Sequence, residues 1–263
     1  MDQAPILFDR TAHRRRRDRA AGRVARVAPV LQEAAARLLD RLDDTTRRFT
    51  RALDLGGRGV VAPMLRARGI ATVACDLSPA LAALNGPPCV AADEEWLPFA
   101  PGAFDLVVAS LSLHWANDLP GVLIQLRRAL APDGLLLASV PALGTLQTLR
   151  ESLTEAEAML TGGAAPRVAP FPDLRDCAGL LQRAGFVLPV ADAERISLRY
   201  RNPAGVLADL RDAGETNVLT DRPRLIPTRL LFPAALARLP TEADGTVALD
   251  LQLAMLTGWA PPA

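Results

Sequence analysis

The feature that most constrains the fold is a glycine-rich turn between an apolar run and a helical pattern. Residues 52–55 form a short apolar run that contains one acid, and glycines follow at Gly56, Gly57 and Gly59. An apolar helical pattern begins at Val60. The stretch predicts a strand that enters a helix through a turn whose backbone N–H groups a ligand can approach. An ordinary strand-to-helix turn without a ligand is the alternative.

Apolar runs and helical patterns alternate from residue 51 to residue 142. Strands are predicted at 52–55, 71–75, 89–92, 104–110 and 135–140. Helices are predicted near 60–68, from Ser78-Pro79 onward and near 119–130, with a turn at 132–134. The apolar runs do not alternate with polar residues, which is typical of parallel strands covered by helices on both faces. The sequence therefore predicts an α/β fold with a mostly parallel sheet.

The chain on either side of this region has a different pattern. Residues 1–45 form a basic segment predicted to be helical, residues 46–142 the ligand-binding core, and residues 143–263 the rest of the sheet with a helical substrate or partner subdomain. Apolar residues between 30 and 42 recur at helical spacing and predict a helix at the edge of the core. Beyond residue 142, helices are predicted near 145–160, 173–184, 203–213 and 227–238, an antiparallel strand pair at 185–188 and 196–200, and a last strand at 247–253.

The N-terminal segment is the most basic part of the chain. It carries four consecutive arginines from Arg14 to Arg17 and further arginines at 19, 23 and 26. Such a run is usually a solvated helical face. A lid over the site or an arm that binds a partner is the sharper hypothesis. Aromatic residues do not interleave with the run, and the whole chain has a net charge of only +1, so nucleic-acid binding is not predicted.

Composition excludes several other classes of protein. The three cysteines, Cys75, Cys89 and Cys177, are too scattered for a disulfide framework or a zinc knuckle, and no metal site is predicted. No apolar run approaches the roughly 20 residues that span a bilayer, and no signal peptide is visible. We therefore expect a cytoplasmic protein.

Acids follow three of the predicted strands or lie within them. Asp54 precedes the glycine turn, Asp76 ends the second predicted strand, and Asp93 with Glu94 ends the third. A carboxylate in the place of Asp76 commonly accepts from both hydroxyls of a ribose, and Asp93 would accept from an adenine amino group. These features favour a nucleoside site, either for a dinucleotide or for S-adenosylmethionine. For each acid alone, a helix cap or a solvated turn is the alternative.

Two other nucleotide chemistries are disfavoured. The glycine turn is not a clean G-x-G-x-x-G, and the chain has one tyrosine and no lysine, so a Tyr/Lys pair for hydride transfer is absent from the sequence. The G-x-x-x-x-G-K-[ST] loop of phosphoryl transfer is also absent from the sequence.

Several longer segments resemble class I S-adenosylmethionine-dependent methyltransferases. They are ALDLGGRG, CDLSP, ADEEWLPFAPGAFDLVVASLSLHWANDLPG and LRRALAPDGLLLASV. The resemblance is to the group that holds the biotin-pathway malonyl-carrier-protein methyltransferases and the methyltransferase-like complex I assembly factors. The assembly factors match better, because the N-terminal FDR, the HW-NDLP block, residues 145–150, the segment 214–217 and the terminal Gly258-Trp259 have counterparts there.

The resemblance implies a Rossmann-like, seven-stranded sheet with one antiparallel strand. It implies S-adenosylmethionine as cofactor, bound by the following residues: Asp54, Gly56, Gly57, Gly59, Asp76, Leu77, Asp93, Glu94 and Ser110. His114 and Trp115 are the substrate-side candidates. The implied partner is a protein or carrier-protein substrate, with the arginine-hydroxylating assembly factors pointing to a subunit of a bacterial respiratory NADH dehydrogenase.

One departure from the family pattern keeps three functions open. The family turn reads D-L-G-C-G-x-G, whereas this chain has Asp54-Leu55-Gly56-Gly57-Arg58-Gly59, and a side chain at Arg58 is predicted to crowd the methionine moiety. An arginine hydroxylase of the assembly-factor type is the main hypothesis; a malonyl-carrier-protein O-methyltransferase and a catalytically silent assembly chaperone are the alternatives. A 2-His-1-carboxylate iron site is not predicted, because His13 and His114 are expected to lie far apart.

Overall fold

A central seven-stranded sheet dominates the computed structural model, which describes residues 6–223 and 228–263. The strand order is β3-β2-β1-β4-β5-β7-β6. Strand β7 is antiparallel to both of its neighbours, and the remaining pairs are parallel. The strands are β1 (Arg51–Leu55), β2 (Ala71–Asp76), β3 (Cys89–Ala91), β4 (Phe104–Ser110), β5 (Leu130–Pro141), β6 (Val187–Tyr200) and β7 (Val247–Trp259). The predicted α/β, Rossmann-like sheet with one reversed strand is confirmed.

Helices cover both faces of this sheet. They are α1 (Arg10–Ala20), α2 (Ala28–Leu39), α3 (Val61–Ala67), α4 (Pro79–Ala83), α5 (Leu119–Ala129), α6 (Gln147–Thr161), α7 (Leu174–Arg183), α8 (Ala204–Asp212) and α9 (Leu231–Leu236). Leu53 and Val107 point to the face that packs against α5 and α7. Their neighbours Ala52 and Leu106 point to the opposite face, under α2 and α3. This alternation of buried side chains is what a parallel sheet covered on both faces requires.

Local capping explains where the helices near the carboxyl ends of the strands begin. The side chain of Asp9 accepts a hydrogen bond of 2.8 Å from the Ala12 N–H and starts α1. Ser78 does the same for α4 through the Leu81 N–H at 3.1 Å, with Pro79 at the first helical position. These caps satisfy N–H groups that have no partner within their own helix.

Two expectations about the first half of the chain are wrong. Helix α2 lies over the central strands β4 and β5 and not at the edge of the core, because its apolar stripe, which includes Leu38, is fully buried against residues such as Leu137. The predicted turn at 132–134 lies inside β5, which begins at Leu130. Asp133 has a φ of +56°, so the turn residues form an irregularity in the strand where its register to β4 shifts.

The C-terminal half also differs from its prediction. The segments 185–188 and 196–200 do not pair with each other; they belong mostly to the single strand β6, whose partner throughout is β7. Strand β6 lies at the edge of the sheet, where its acids Asp192 and Glu194 pair with Arg41 and Arg37, and this polarity resembled a loop. The helix predicted at 227–238 is Leu231–Leu236, and the start of the predicted range lies outside the described residues.

Candidate functional site

The glycine turn between β1 and α3 is tightly packed on its inner side. Gly56 and Gly59 have φ values of +75° and +83°, which side-chain-bearing residues rarely adopt. A Cβ at Gly56 would lie 2.5 Å from the Cβ of Ser112, and one at Gly57 would overlap the carboxylate of Asp54. The glycines are therefore required by the turn and by its close approach to the chain's own side chains.

Asp54 lies fully buried beneath this turn. One of its oxygens accepts a hydrogen bond of 2.9 Å from the Ala62 N–H at the start of α3, and the other has no hydrogen-bond partner among the described residues. Burial raises the pKa of Asp54 to about 7, and the hydrogen bond to Ala62 opposes that rise. The structure thus places Asp54 where it fixes the turn against α3.

Asp76 ends β2 and is buried, but it is paired with an arginine from the N-terminal helix. The Arg17 guanidinium donates to both carboxylate oxygens, from Nη2 at 2.5 Å and from Nε at 3.1 Å. Burial disfavours the charged guanidinium, but the Asp76 carboxylate outweighs this and raises the pKa of Arg17 above its ordinary value. The Ser78 N–H donates to the same carboxylate at 2.8 Å. Asp76 is thus fully engaged by the chain itself.

Asp93 and Glu94, beyond the end of β3, hold a second arginine of α1. The Nη2 atom of Arg10 lies 2.7 Å from an oxygen of each carboxylate. Arg10 also donates to the Trp115 carbonyl at 2.9 Å. Helix α1 therefore lies along the rim formed by the carboxyl ends of β2 and β3. Its Arg17 pairs with the acid that ends β2, and its Arg10 pairs with the two acids that follow β3.

The other two predicted contacts flank this rim. Leu77 follows Asp76 directly and is half-buried. Ser110 ends β4 and is buried, with its hydroxyl 3.4 Å from the hydroxyl of Ser139. The structure therefore brings all the predicted cofactor residues to one edge of the sheet, although Asp54 and Ser110 face inward.

His114 and Trp115 converge on Glu215, in the segment that follows α8. The His114 Nε2 lies 2.9 Å from the Glu215 carboxylate, and the Trp115 indole N–H donates to the same oxygen at 2.6 Å. The other oxygen pairs with Arg58, whose side chain is 1% exposed. Burial opposes ionisation of Glu215, but Arg58 and then His114 outweigh it and hold the pKa of this carboxyl well below its ordinary value.

Arg58 does not lie between the acids of the rim. Its φ is +53°, and its guanidinium extends to the Leu111 carbonyl at 2.9 Å and to Glu215. The expected crowding of a methionine moiety by this side chain stays a prediction. Arg17, and not Arg58, occupies the space over Asp76.

The two histidines of the chain lie in the same cluster, so the expectation that they are far apart is wrong. The ring centroids of His13 and His114 are 5.3 Å and 5.0 Å from that of Trp115. Helix α1 folds back over the rim and brings His13 there, which its position in the sequence did not indicate. Burial lowers the pKa of His13 to about 2, and Arg17 contributes to the shift. Within residues 6–223 and 228–263, no three His, Cys, Asp or Glu residues are placed to hold a metal ion.

Sequence reasoning missed Arg10, Arg17 and Glu215 as parts of the site. A signal for the first two was present: Arg10, His13 and Arg17 are spaced three and four residues apart and share one face of a helix. Ala20 continues that face, and its burial with His13 and Arg17 shows that the face is turned inward. The abundance of arginine on the other faces concealed this pattern.

Comparison with known proteins assigns the fold to a family. A methyltransferase domain model matches residues 15–189. The chain belongs to the methyltransferase family. The chain is 35% identical to the mitochondrial arginine-hydroxylase NDUFAF5 of Danio rerio, over 98% of the chain and 84% of that relative. It is 36% identical to the malonyl-[acyl-carrier protein] O-methyltransferase of Halorhodospira halophila, over 96% of the chain and 88% of that relative.

Solved methyltransferase structures share the fold at low sequence identity. A methyltransferase of Bacillus halodurans aligns with a TM-score of 0.56 at 17% identity, covering 85% of this chain and 98% of that one. The methyltransferase bound to the Trm112 activator of Haloferax volcanii aligns with a TM-score of 0.57 at 16% identity, covering 95% and 98% of the two chains. None of the helices that the structure describes is long and apolar enough to cross a bilayer.

The residues of the rim suit the cofactor of this family, S-adenosylmethionine, in kind and in order. Carboxylates follow the neighbouring strands β2 and β3, and the glycine turn follows β1 beside them. In the present conformation, however, Arg17 and Arg10 occupy the carboxylate oxygens that a ribose and an adenine amino group would use. A ribose bound at Asp76 would therefore share these carboxylate oxygens with the Arg17 guanidinium or displace it.

Proposed function

We propose that this member of the methyltransferase family binds S-adenosylmethionine along the rim and modifies an arginine side chain of a protein partner. Asp93 with Glu94, Asp76 and the glycine turn would hold the adenine, the ribose and the methionine moiety in that order. S-adenosylmethionine supplies an activated methyl group when it is bound. The partner that the NDUFAF5 relatives suggest is the corresponding subunit of a bacterial respiratory NADH dehydrogenase.

The ion pairs between carboxylates of the site and guanidinium groups support arginine as the acceptor. Two arginines of the chain itself, Arg10 and Arg17, already pair with carboxylates of the rim, and a third, Arg58, pairs with Glu215 beside it. Charge-assisted contacts between a guanidinium and a carboxylate have a planar, two-pronged geometry that an amine or a hydroxyl does not reproduce. A surface that accommodates three guanidinium groups is suited to a fourth from a partner.

Glu215 and its partners would form the substrate side of the site. The carboxylate is fixed by three donors from two segments, so its position depends little on solvent. His114 carries an Nδ1 that is buried and has no partner among the described residues. In its neutral form with Nε2 protonated, this nitrogen is an acceptor available for a donor N–H of the substrate. Trp115 excludes water from the same space.

A second candidate function, methylation of a carrier-bound malonyl group, is favoured by a different feature. A cavity of about 320 Å³ is lined by two arginines and an acid, Arg150, Arg167 and Asp221, and by apolar residues such as Val168 and Leu219. Arg150 donates to the Ala169 carbonyl at 2.5 Å, and no carboxylate in the described part of the chain forms an ion pair with it. A guanidinium whose charge is not neutralised is a suitable receptor for the free carboxylate of an acyl group.

Mass spectrometry of the acceptor separates these functions. The chain is coexpressed with the candidate respiratory subunit, and the subunit's peptides are examined for the gain of one oxygen atom or one methyl group on an arginine. We expect one of these changes with the wild type and its loss with Glu215→Gln. An unmodified subunit, together with methylation of a malonyl carrier protein in a parallel assay, would overturn the proposal in favour of the second function. If the chain binds S-adenosylmethionine but neither acceptor changes, both enzymatic proposals fail and the chaperone hypothesis is favoured.

A further inference from the structure

Trp96 is a tryptophan on the surface of the chain, two residues after the acids that follow β3. Its side chain and backbone together are 81% exposed, whereas Trp115 is buried and Trp259 is half-buried. No hydrophobic cluster of the described residues includes Trp96. Tryptophan is enriched at protein interfaces, because a large apolar side chain with a polar N–H gains most from being covered by a partner.

The loop that carries Trp96 is fixed on both sides of the indole. The next residue, Leu97, and Phe99 beyond it pack against the core. The side-chain amide of Gln125 on α5 accepts a hydrogen bond of 3.0 Å from the Leu97 N–H and donates one of 2.8 Å to the Glu95 carbonyl. Trp96 is therefore presented to solvent by an ordered backbone. A side chain held in this way loses little conformational freedom when a partner covers it.

Two carboxylates without an ion pair adjoin this loop. Glu95 precedes Trp96 directly, and its carboxylate accepts a hydrogen bond of 2.5 Å from the Asn117 N–H. Asp118 follows Asn117 and caps α5 through the Gly121 N–H at 2.9 Å. In the part of the chain that the structure describes, neither acid lies within ion-pair distance of a cationic side chain. The surface beside the indole therefore carries negative charge that these residues do not neutralise.

An exposed indole next to carboxylates favours one kind of cation. A guanidinium is planar, so it stacks on an indole face and donates to a carboxylate at the same time. An ammonium makes the electrostatic contact without the stacking. We propose that the surface formed by Glu95, Trp96 and Asp118, the Trp96 surface, binds an arginine-bearing segment of the protein partner. This inference rests on the proposed protein partner, and it concerns where that partner is held.

The Trp96 surface is connected to the substrate side of the site. Asp93, three residues before Trp96, pairs with Arg10, and Arg10 also donates to the Trp115 carbonyl. The Trp115 indole in turn donates to Glu215. A partner segment held at Trp96 therefore lies at the same edge of the sheet as Glu215. The arginine that binds at Trp96 is a docking residue of the partner, distinct from the arginine that is modified.

Two synthetic peptides of equal length test the proposal, one of alternating arginine and glycine and one of alternating lysine and glycine. Their dissociation constants are measured by calorimetry for the wild type, Trp96→Phe, Trp96→Leu and Glu95→Gln. Leu188→Ala is the matched control, because Leu188 is 74% exposed on β6 at the opposite end of the sheet. The affinity for S-adenosylhomocysteine is measured for the same variants.

The indole face should account for the preference between the two peptides. The wild type should bind the arginine peptide more tightly than the lysine peptide. Trp96→Leu should weaken the arginine peptide by about ten- to thirty-fold, because it removes the stacking face, whereas Trp96→Phe should retain most of the affinity. Glu95→Gln should weaken both peptides, because it removes a carboxylate that attracts either cation. Leu188→Ala should match the wild type, and S-adenosylhomocysteine should bind all variants equally.

Three results would overturn the inference. The first is an arginine peptide that binds Trp96→Leu as tightly as the wild type, or a wild type that does not distinguish arginine from lysine. The second is weaker binding of S-adenosylhomocysteine to Trp96→Leu, which would place the indole in the cofactor site. The third is a dimeric wild type and a monomeric Trp96→Leu in sedimentation, which would make a second copy of the chain the occupant.

The coexpression assay separates this inference from the proposed function. If Trp96→Leu modifies the respiratory subunit as fully as the wild type does, the docking surface is wrong and the proposed function stands. If the arginine peptide depends on Trp96 but the subunit is not modified, the proposed function is wrong and the docking surface stands. The melting temperature of each variant verifies that it is folded.

Discussion

The buried pair of Arg17 and Asp76 should be strongly coupled in the stability of the chain. Their side chains are 3% and 1% exposed, and the Nη2–Oδ2 distance is 2.5 Å. Removing one partner leaves the other charge buried without compensation, which costs about 3–5 kcal/mol of the free energy of unfolding. We expect a loss of this size in Asp76→Asn and in Arg17→Met, measured by urea denaturation followed by circular dichroism.

The double variant completes a double-mutant cycle and measures the interaction between the two side chains. With both charges removed, no buried charge is left unpaired, so Asp76→Asn with Arg17→Met should lose far less than the sum of the two single variants. The interaction energy should be about 3 kcal/mol. The exposed pair of Arg68 and Asp43 is the control, with side chains 35% and 71% exposed, and its cycle should give less than about 1 kcal/mol. Additive losses at the buried pair would refute the coupling between Arg17 and Asp76.

Three further predictions concern the cluster and the glycine turn. The pKa of His13 is about 2 in the folded chain and 6.5 ordinarily, so between these two values only the unfolded state binds the proton. The free energy of unfolding should therefore fall as the pH drops from about 6.5 toward 2. In a pH series of denaturation curves, His13→Leu should lose about 1.4 kcal/mol less of this free energy per pH unit than the wild type. Glu215→Gln leaves Arg58 buried without its counter-charge and should cost about 3–5 kcal/mol, so an unchanged melting temperature would contradict the pairing. Gly57→Ala places a methyl group against the carboxylate beneath the turn and should cost about 1–3 kcal/mol in the same denaturation assay, whereas Gly163→Ala, with open space around it, should cost less than about 1 kcal/mol.

The sheet was predictable from the sequence where burial alone determines it. Strands β1, β2, β4 and the second half of β5 read as continuous apolar runs because most of their side chains are buried. Strand β4 was predicted with its observed bounds, 104–110. Strand β6 was not predictable in the same way. It lies at the sheet edge, its side chains alternate between exposed and half-buried, and a polar stretch there has the same appearance as a loop.

The site was predictable in its acids but not in their partners. The position of Asp76 follows from the strand that precedes it, since the carboxyl ends of parallel strands share one edge. The contact between Asp76 and Arg17 joins residues 59 positions apart, and it depends on how α1 packs over that edge. The helical spacing of Arg10, His13 and Arg17 groups them on one face of α1 but does not indicate which strands that face covers. Glu215 was hidden for the same reason, because its segment reaches His114 from 101 positions away.

Calorimetric titration with S-adenosylhomocysteine tests the central claim most directly, namely that the acids of the rim bind a nucleoside in competition with α1. We expect binding to the wild type and to the exposed-acid control Asp43→Asn. We expect the affinity to be lower by roughly ten- to a hundred-fold in Asp76→Asn, which loses a charged acceptor for the ribose. Equal affinity in Asp76→Asn and the wild type, or no heat from the folded wild type at millimolar ligand, would contradict it.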